Sequence, residues 1–159
     1  KVLAWNHAWG WNGAVPVTGE INGDGRTDFA VFNDATGRWF IKTLGGTVLA
    51  WIIAWGWSGA LPVTGDYDGD HRDDLAVFNR VTGRWFIMSV DGSVIAWNTA
   101  WGWNGTTPVA GDYDGDGLYD LAVYDGASGK WYAMSLSGKS IMRGTPWGWP
   151  GADPVGKVP

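Results

Sequence analysis

Residues 111–125 read GDYDGDGLYDLAVYD, an acidic loop broken by glycines that runs into a short apolar strand. The same pattern stands at 65–79 (GDYDGDHRDDLAVFN) and at 19–33 (GEINGDGRTDFAVFN), a constant step of 46 residues. Working outward, Trp9-Gly10-Trp11 recurs as Trp55-Gly56-Trp57, Trp101-Gly102-Trp103 and Trp147-Gly148-Trp149. Pro16, Pro62, Pro108 and Pro154 keep that step, as do Trp39, Trp85 and Trp131. A fixed period of this size means one supersecondary unit copied in tandem. The 159 residues are therefore read as a single repeat domain, with units 1–46, 47–92 and 93–138 and a partial fourth at 139–159.

Each unit reads as four short strands between turn signals. In the middle copy these are Leu61–Gly65, Leu75–Asn79, Arg84–Val90 and Ser93–Asn98, with Asp91-Gly92 as a hairpin turn. The third strand is apolar on both sides, with Trp85 and Ile87 on one face and Phe86 and Met88 on the other. Such a strand must be covered twice, which favours sheets stacked face to face. The fold class expected is all-β, in tandem four-stranded blades of the β-propeller type. A three-fold β-trefoil or β-prism lectin fold is the alternative.

Composition narrows the function. The formal net charge of −5 argues against a nucleic-acid partner, which needs a basic footprint. No run of 18 apolar residues exists to cross a membrane as a helix. With no Cys, a zinc ribbon, a disulfide framework and a thiol nucleophile are all excluded. No cationic, apolar leader opens the sequence, which reads as a mature or excised segment. Only two His occur, His7 and His71, and no nucleophile-elbow, zincin or P-loop motif accompanies them. The expectation is a protein that is not an enzyme.

The acidic loops carry the chemistry. Oxygen ligands fall at loop positions 1, 3, 5 and 9, and a backbone carbonyl is available at 7. In the first loop these are Glu20, Asn22, Asp24, Arg26 (carbonyl) and Asp28. In the second they are Asp66, Asp68, Asp70, Arg72 (carbonyl) and Asp74, and in the third Asp112, Asp114, Asp116, Leu118 (carbonyl) and Asp120. Hard cations such as Ca²⁺ take six to eight oxygens from a flexible cage, and a mid-loop Gly relieves the bend. Three Ca²⁺ ions, one per unit, would move the formal charge from −5 to +1. The first loop has one carboxylate fewer, and His71 replaces the mid-loop Gly25 and Gly117. The remaining carboxylates Asp34, Asp73, Asp91, Asp125 and Asp153 read mostly as turn residues.

The run Gly111–Asp125, with the upstream WGWxGxxPVxGD and downstream GxWY or GxWF elements, resembles the FG-GAP/VCBS repeats of bacterial extracellular proteins. It is also similar to the calcium-binding blades of integrin α-subunits and of some fungal lectins. The resemblance implies propeller blades, calcium in the named loops, and a secreted, extracellular location. It does not fix an activity, since such repeats serve adhesins, lectins and accessory domains.

Tryptophan supplies the ligand expectation. There are 14 in the chain. Trp39, Trp85 and Trp131 are expected between blades. The pairs Trp9/Trp11, Trp55/Trp57, Trp101/Trp103 and Trp147/Trp149 each read as two rings on one face of an extended segment, a platform for a sugar. The partner expected is a glycan or cell-surface polysaccharide, bound multivalently. A scaffold or adhesion module is the alternative, and a polysaccharide hydrolase or lyase the less favoured one. Three units are too few to close a propeller of four to eight blades, so either a longer array or a homo-oligomer is expected.

Overall fold

A computed structural model describes residues 8–154. By the repeat, a fourth strand is expected at Val2–Trp5 and a first strand at Asp153–Val158; the former, and the part of the latter beyond Pro154, lie outside the described residues. Among the described residues, twelve strands form three antiparallel sheets, each a simple meander. The first sheet holds β1 (Ala14–Gly19), β2 (Asp28–Asn33), β3 (Arg38–Lys42) and β4 (Val48–Ala54). The second holds β5 (Leu61–Gly65), β6 (Asp74–Asn79), β7 (Arg84–Met88) and β8 (Val94–Ala100). The third holds β9 (Thr106–Pro108), β10 (Leu121–Asp125), β11 (Lys130–Met134) and β12 (Ser140–Pro146). The fourth strand of each sheet thus falls in the sequence unit that follows, and β12 lies in the stretch read as a partial fourth unit.

The strands lie where alternation and turn chemistry place them. Between β7 and β8 the Asp91-Gly92 turn is closed by Ser89 N donating to Ser93 O at 2.9 Å, with Gly92 at φ 94°. Register shifts in the pairing of β7 with β8 recur at the same place in the other two sheets, so the irregularity is part of the repeat.

The sheets stack in series. One buried cluster joins Val17, Phe32, Trp39 and Ile41 of the first sheet to Leu75 and Val77 of the second. Another joins Phe78, Trp85 and Ile87 of the second to Leu121 and Val123 of the third. Strand β6 therefore buries both faces, Leu75 and Val77 one way, Ala76 and Phe78 the other. The double covering read from the third strand is realised in β7. There Trp85 and Ile87 are fully buried, while Phe86 and Met88 pack against the first sheet's cluster. Among the described residues no sheet closes into a barrel, and the buried clusters link neighbours only. That arrangement does not match the closed barrel of the β-trefoil half of the alternative.

Trp39 and Trp85 are fully buried as expected, but Trp131 is only half-buried, because no fourth sheet covers it among the described residues. Close packing also explains the glycine inside each connector. A Cβ on Gly83, in the β6–β7 turn, would lie 2.1 Å from the backbone of Gly102. The backbone therefore blocks a side chain at Gly83, while a Cβ on Gly102, at φ 130°, would press on the Phe78 ring at 3.0 Å.

Candidate functional site

The three acidic loops join the first and second strands of their sheets and share one scaffold of bonds. The ninth-position carboxylates Asp28, Asp74 and Asp120 are almost fully buried. Each accepts the N–H of the residue at position 2: Ile21 at 3.1 Å, Tyr67 at 2.9 Å and Tyr113 at 2.7 Å. Position 1 bends the loop around itself. Asp66 accepts from Gly69 N at 2.6 Å and His71 N at 2.9 Å, and Asp112 from Gly115 N at 2.7 Å and Gly117 N at 2.9 Å. Glu20 does the same for Gly23 N at 2.7 Å and Asp24 N at 3.0 Å. His71 takes the turn at φ 65°, the strained position that glycine fills in the other loops.

The carboxylates crowd together. Oxygens of Asp66, Asp68 and Asp74 lie within 4.8 Å of one another, as do those of Asp112, Asp114 and Asp116. The first loop makes no such group among the described residues. Asp24 there accepts Arg26 N at 2.9 Å, and Asn22 accepts Asp24 N at 3.0 Å.

Burial pushes the ninth-position carboxyls upward, Asp74 to about 7 and Asp28 and Asp120 in the same direction, with the neighbouring loop carboxylates adding to it. Two cations sit against the clusters. Arg72 donates its guanidinium to Asp70 and holds that carboxyl below its ordinary range, while Lys139 Nζ lies 2.8 Å from Asp114 Oδ2. The other oxygen, Asp114 Oδ1, is buried without a hydrogen-bond partner. A buried carboxylate oxygen with no donor, beside two more carboxylates, is an oxygen set that could hold a hard cation. The position-7 residues Arg26, Arg72 and Leu118 would contribute carbonyl oxygens only.

The tryptophan connectors do not lie extended. Their central glycines have φ between 114° and 146°, which turns the two rings to different tasks. The first ring of a pair wedges between sheets. Trp55 Nε1 donates to Phe86 O at 3.3 Å and Trp101 Nε1 to Tyr132 O at 3.4 Å. The second ring stands edge-on to an aromatic of the next sheet: Trp11 to Phe40 at 5.0 Å, Trp57 to Phe86 at 5.1 Å, Trp103 to Tyr132 at 4.8 Å. Both rings still line one groove. Trp55, Trp57, Phe86 and Trp97 border about 260 Å³ of open volume. One step on, Trp101, Trp103, Tyr132 and Arg143 border about 250 Å³. Trp9 packs instead on Trp51 and under Lys42 Nζ, 5.4 Å from its ring. Trp147 and Trp149 are exposed and flank Trp131 and Tyr124 around about 510 Å³ on the outer face of the third sheet.

Sequence spacing did not mark Lys139, Arg143, Phe86 or Tyr132 as neighbours of these sites. It read Asp73 as a turn residue, whereas Asp73 bonds across to the first loop at Glu20. The available signal was weak: Asp73 adjoins a ligand position but has Thr27 and Tyr119 as its counterparts.

A family model described as an FG-GAP-like repeat matches residues 21–77 and again residues 66–123, together more than half of the chain. No curated protein and no solved structure matches the chain.

Proposed function

Because the chain belongs to the FG-GAP-like repeat family, and so is a repeat module of scaffold type, we propose that it is a calcium-stabilised, propeller-type binding module that recognises carbohydrate outside the cell. Calcium would be structural. Asp66, Asp68, Asp70 and Asp74, and Asp112, Asp114, Asp116 and Asp120, would hold it with the carbonyls of Arg72 and Leu118. Glu20, Asn22, Asp24, Asp28 and the Arg26 carbonyl offer a third, weaker set. The cation would relieve the repulsion among these carboxylates and take the place that Arg72 and Lys139 partly fill.

The observation that carries the glycan reading is the recurring aromatic groove. Two shallow clefts stand one unit apart, the first edged by the exposed indole of Trp97 and the next by that of Trp103, and each suits the C–H face of a sugar ring. Series grooves on a rigid stack gain by multivalency. We read the module as non-catalytic. The scaffold reading is favoured by a different observation, that Trp55 and Trp101 spend their N–H groups joining neighbouring sheets.

A thermal melt with calcium, with EDTA, and against a panel of polysaccharides separates these. A ligand bound at 100 times its Kd adds about 2.7 kcal/mol per site. A large fall in midpoint with EDTA is expected, with a further rise for one class of glycan, lost on Trp97→Ala and Trp103→Ala. Calcium dependence without any glycan response leaves the scaffold. Indifference to EDTA overturns the calcium reading.

A further inference from the structure

The two grooves one unit apart are not lined alike. On the second sheet Phe86 of the third strand and Trp97 of the fourth form part of the wall. On the third sheet the same repeat positions hold Tyr132 and Arg143. A further departure accompanies them: Ser140 stands where the earlier units have Val48 and Val94. All three bring a polar group to a place that the earlier units keep apolar, and all three lie on the paired strands β11 and β12.

These departures act together. Tyr132 and Arg143 are partners in the register of the two strands. Arg143 Nε donates to Ser140 Oγ at 2.9 Å, which ties the guanidinium down and leaves its Nη groups uncommitted. Arg143 makes no ion pair among the described residues, whereas Arg72 and Lys139 are spent on Asp70 and Asp114. The Tyr132 hydroxyl makes no hydrogen bond among the described residues either. Gly144 lies beside it and carries no side chain; a Cβ there would stand 3.3 Å from that hydroxyl. The Trp103 and Tyr132 rings meet at 84° with centroids 4.8 Å apart, a corner of two aromatic planes that Arg143 also borders.

We propose that this groove takes an acidic sugar, a hexuronate residue of a polysaccharide, while the Trp97 groove takes neutral ones. The C–H face of the pyranose lies on the aromatic corner. The guanidinium is charged at any working pH, and its planar fork matches a carboxylate with two parallel N–H···O bonds. Trp97 offers no such group in the groove one unit back. The inference rests on the glycan reading above and narrows it to one chemical class at one groove.

The test titrates the full chain, at one fixed Ca²⁺ level, with trigalacturonate and with its methyl ester, which keeps the ring and removes the charge. The neutral polysaccharide panel is run beside them. The native chain is expected to bind the acid on the order of tenfold more tightly than the ester, as a charge-assisted pair of bonds would give. That preference should shrink as salt is raised. Arg143→Met should erase it and leave binding of the ester within about twofold of native. Arg143→Lys should restore only part of it, because an ammonium lacks the fork. Arg143→Trp returns the residue of the earlier units and should turn the groove toward neutral sugars. Arg143 is exposed, so each variant should melt at the native midpoint. An ester bound as tightly as the acid, a preference that survives Arg143→Met, or binding confined to the neutral panel overturns the proposal and leaves the glycan reading standing. If neither the uronates nor the neutral panel binds, the glycan reading fails and this inference falls with it.

Discussion

The second and third sheets carry nearly the same residues at the same phase, yet they live in different surroundings. The second is covered on both faces and the third on one, among the described residues. Trp85 and Trp131 make the same bond, Nε1 to the carbonyl of the following connector tryptophan at 2.7 Å in each case. Trp85 nevertheless has 0% of its surface exposed, while Trp131 opens onto clefts of about 510 and 420 Å³. Local sequence sets the bond, and the neighbouring sheet sets the burial. In a stacked repeat, the energetic weight of a residue is therefore a property of its place in the series.

The largest effect expected from this contrast is at the tryptophans. Trp85→Ala should cost about 3–5 kcal/mol in chemical denaturation, the usual range for emptying a closed aromatic site. Trp131→Ala should cost no more than about 1 kcal/mol, because water already reaches the ring. Equal losses at the two positions would break the comparison.

A smaller effect sharpens it at the turns. Gly83 and Gly129 both have φ near 67°, at 66° and 69°, so backbone strain on substitution is alike. The added Cβ would meet the connector backbone at 2.1 Å on Gly83 and at 2.8 Å on Gly129. Gly83→Ala should thus be the more damaging of the two, by about 1 kcal/mol or more in a thermal melt. The reverse order would mean that the third connector is held as tightly as the second.

A further effect is in pH. Asp74 rises from 3.8 in the unfolded chain to about 7 in the fold, chiefly through burial, and Asp120 rises in the same direction. A folded carboxyl that titrates above its unfolded value holds its proton better in the native state. Without metal, stability is then greatest below pH 4 as far as this group goes, and is lost as pH climbs toward 7. Melts in EDTA at pH 5 and pH 7.5 should show the lower midpoint at pH 7.5. Asp74→Asn should flatten that slope more than Asp120→Asn does. Saturating Ca²⁺ should remove the slope, since a bound cation takes over from the proton.

Much of the candidate site was legible because it is local. Alternate oxygens at positions 1, 3, 5 and 9, with a glycine at the bend, fit within nine residues, and the loops fold back on their own amides as that spacing requires. What escaped was the company each loop keeps. Lys139 reaches Asp114 across 25 residues, and Asp73 reaches Glu20 across 53. Nothing in a periodic pattern points to a residue that departs from the period.

The connectors make the same point. Their composition announced aromatic surface, and an extended platform was the simplest reading. Each central glycine instead turns through positive φ, and Gly56, Gly102 and Gly148 pass against a turn glycine of the preceding sheet, as Gly102 does on Gly83. One ring then becomes a wedge and the other a groove wall.

By itself the sequence determined the unit: its length, its four strands, its acidic loop and the side of each strand that seeks cover. Those follow from turn chemistry and the two-residue period of a strand, which act within a few residues. The tertiary structure alone decided which faces are covered, which tryptophans remain exposed, and which loop leans on which. Such outcomes depend on contacts between units, and identical units carry no mark of which neighbour they will meet.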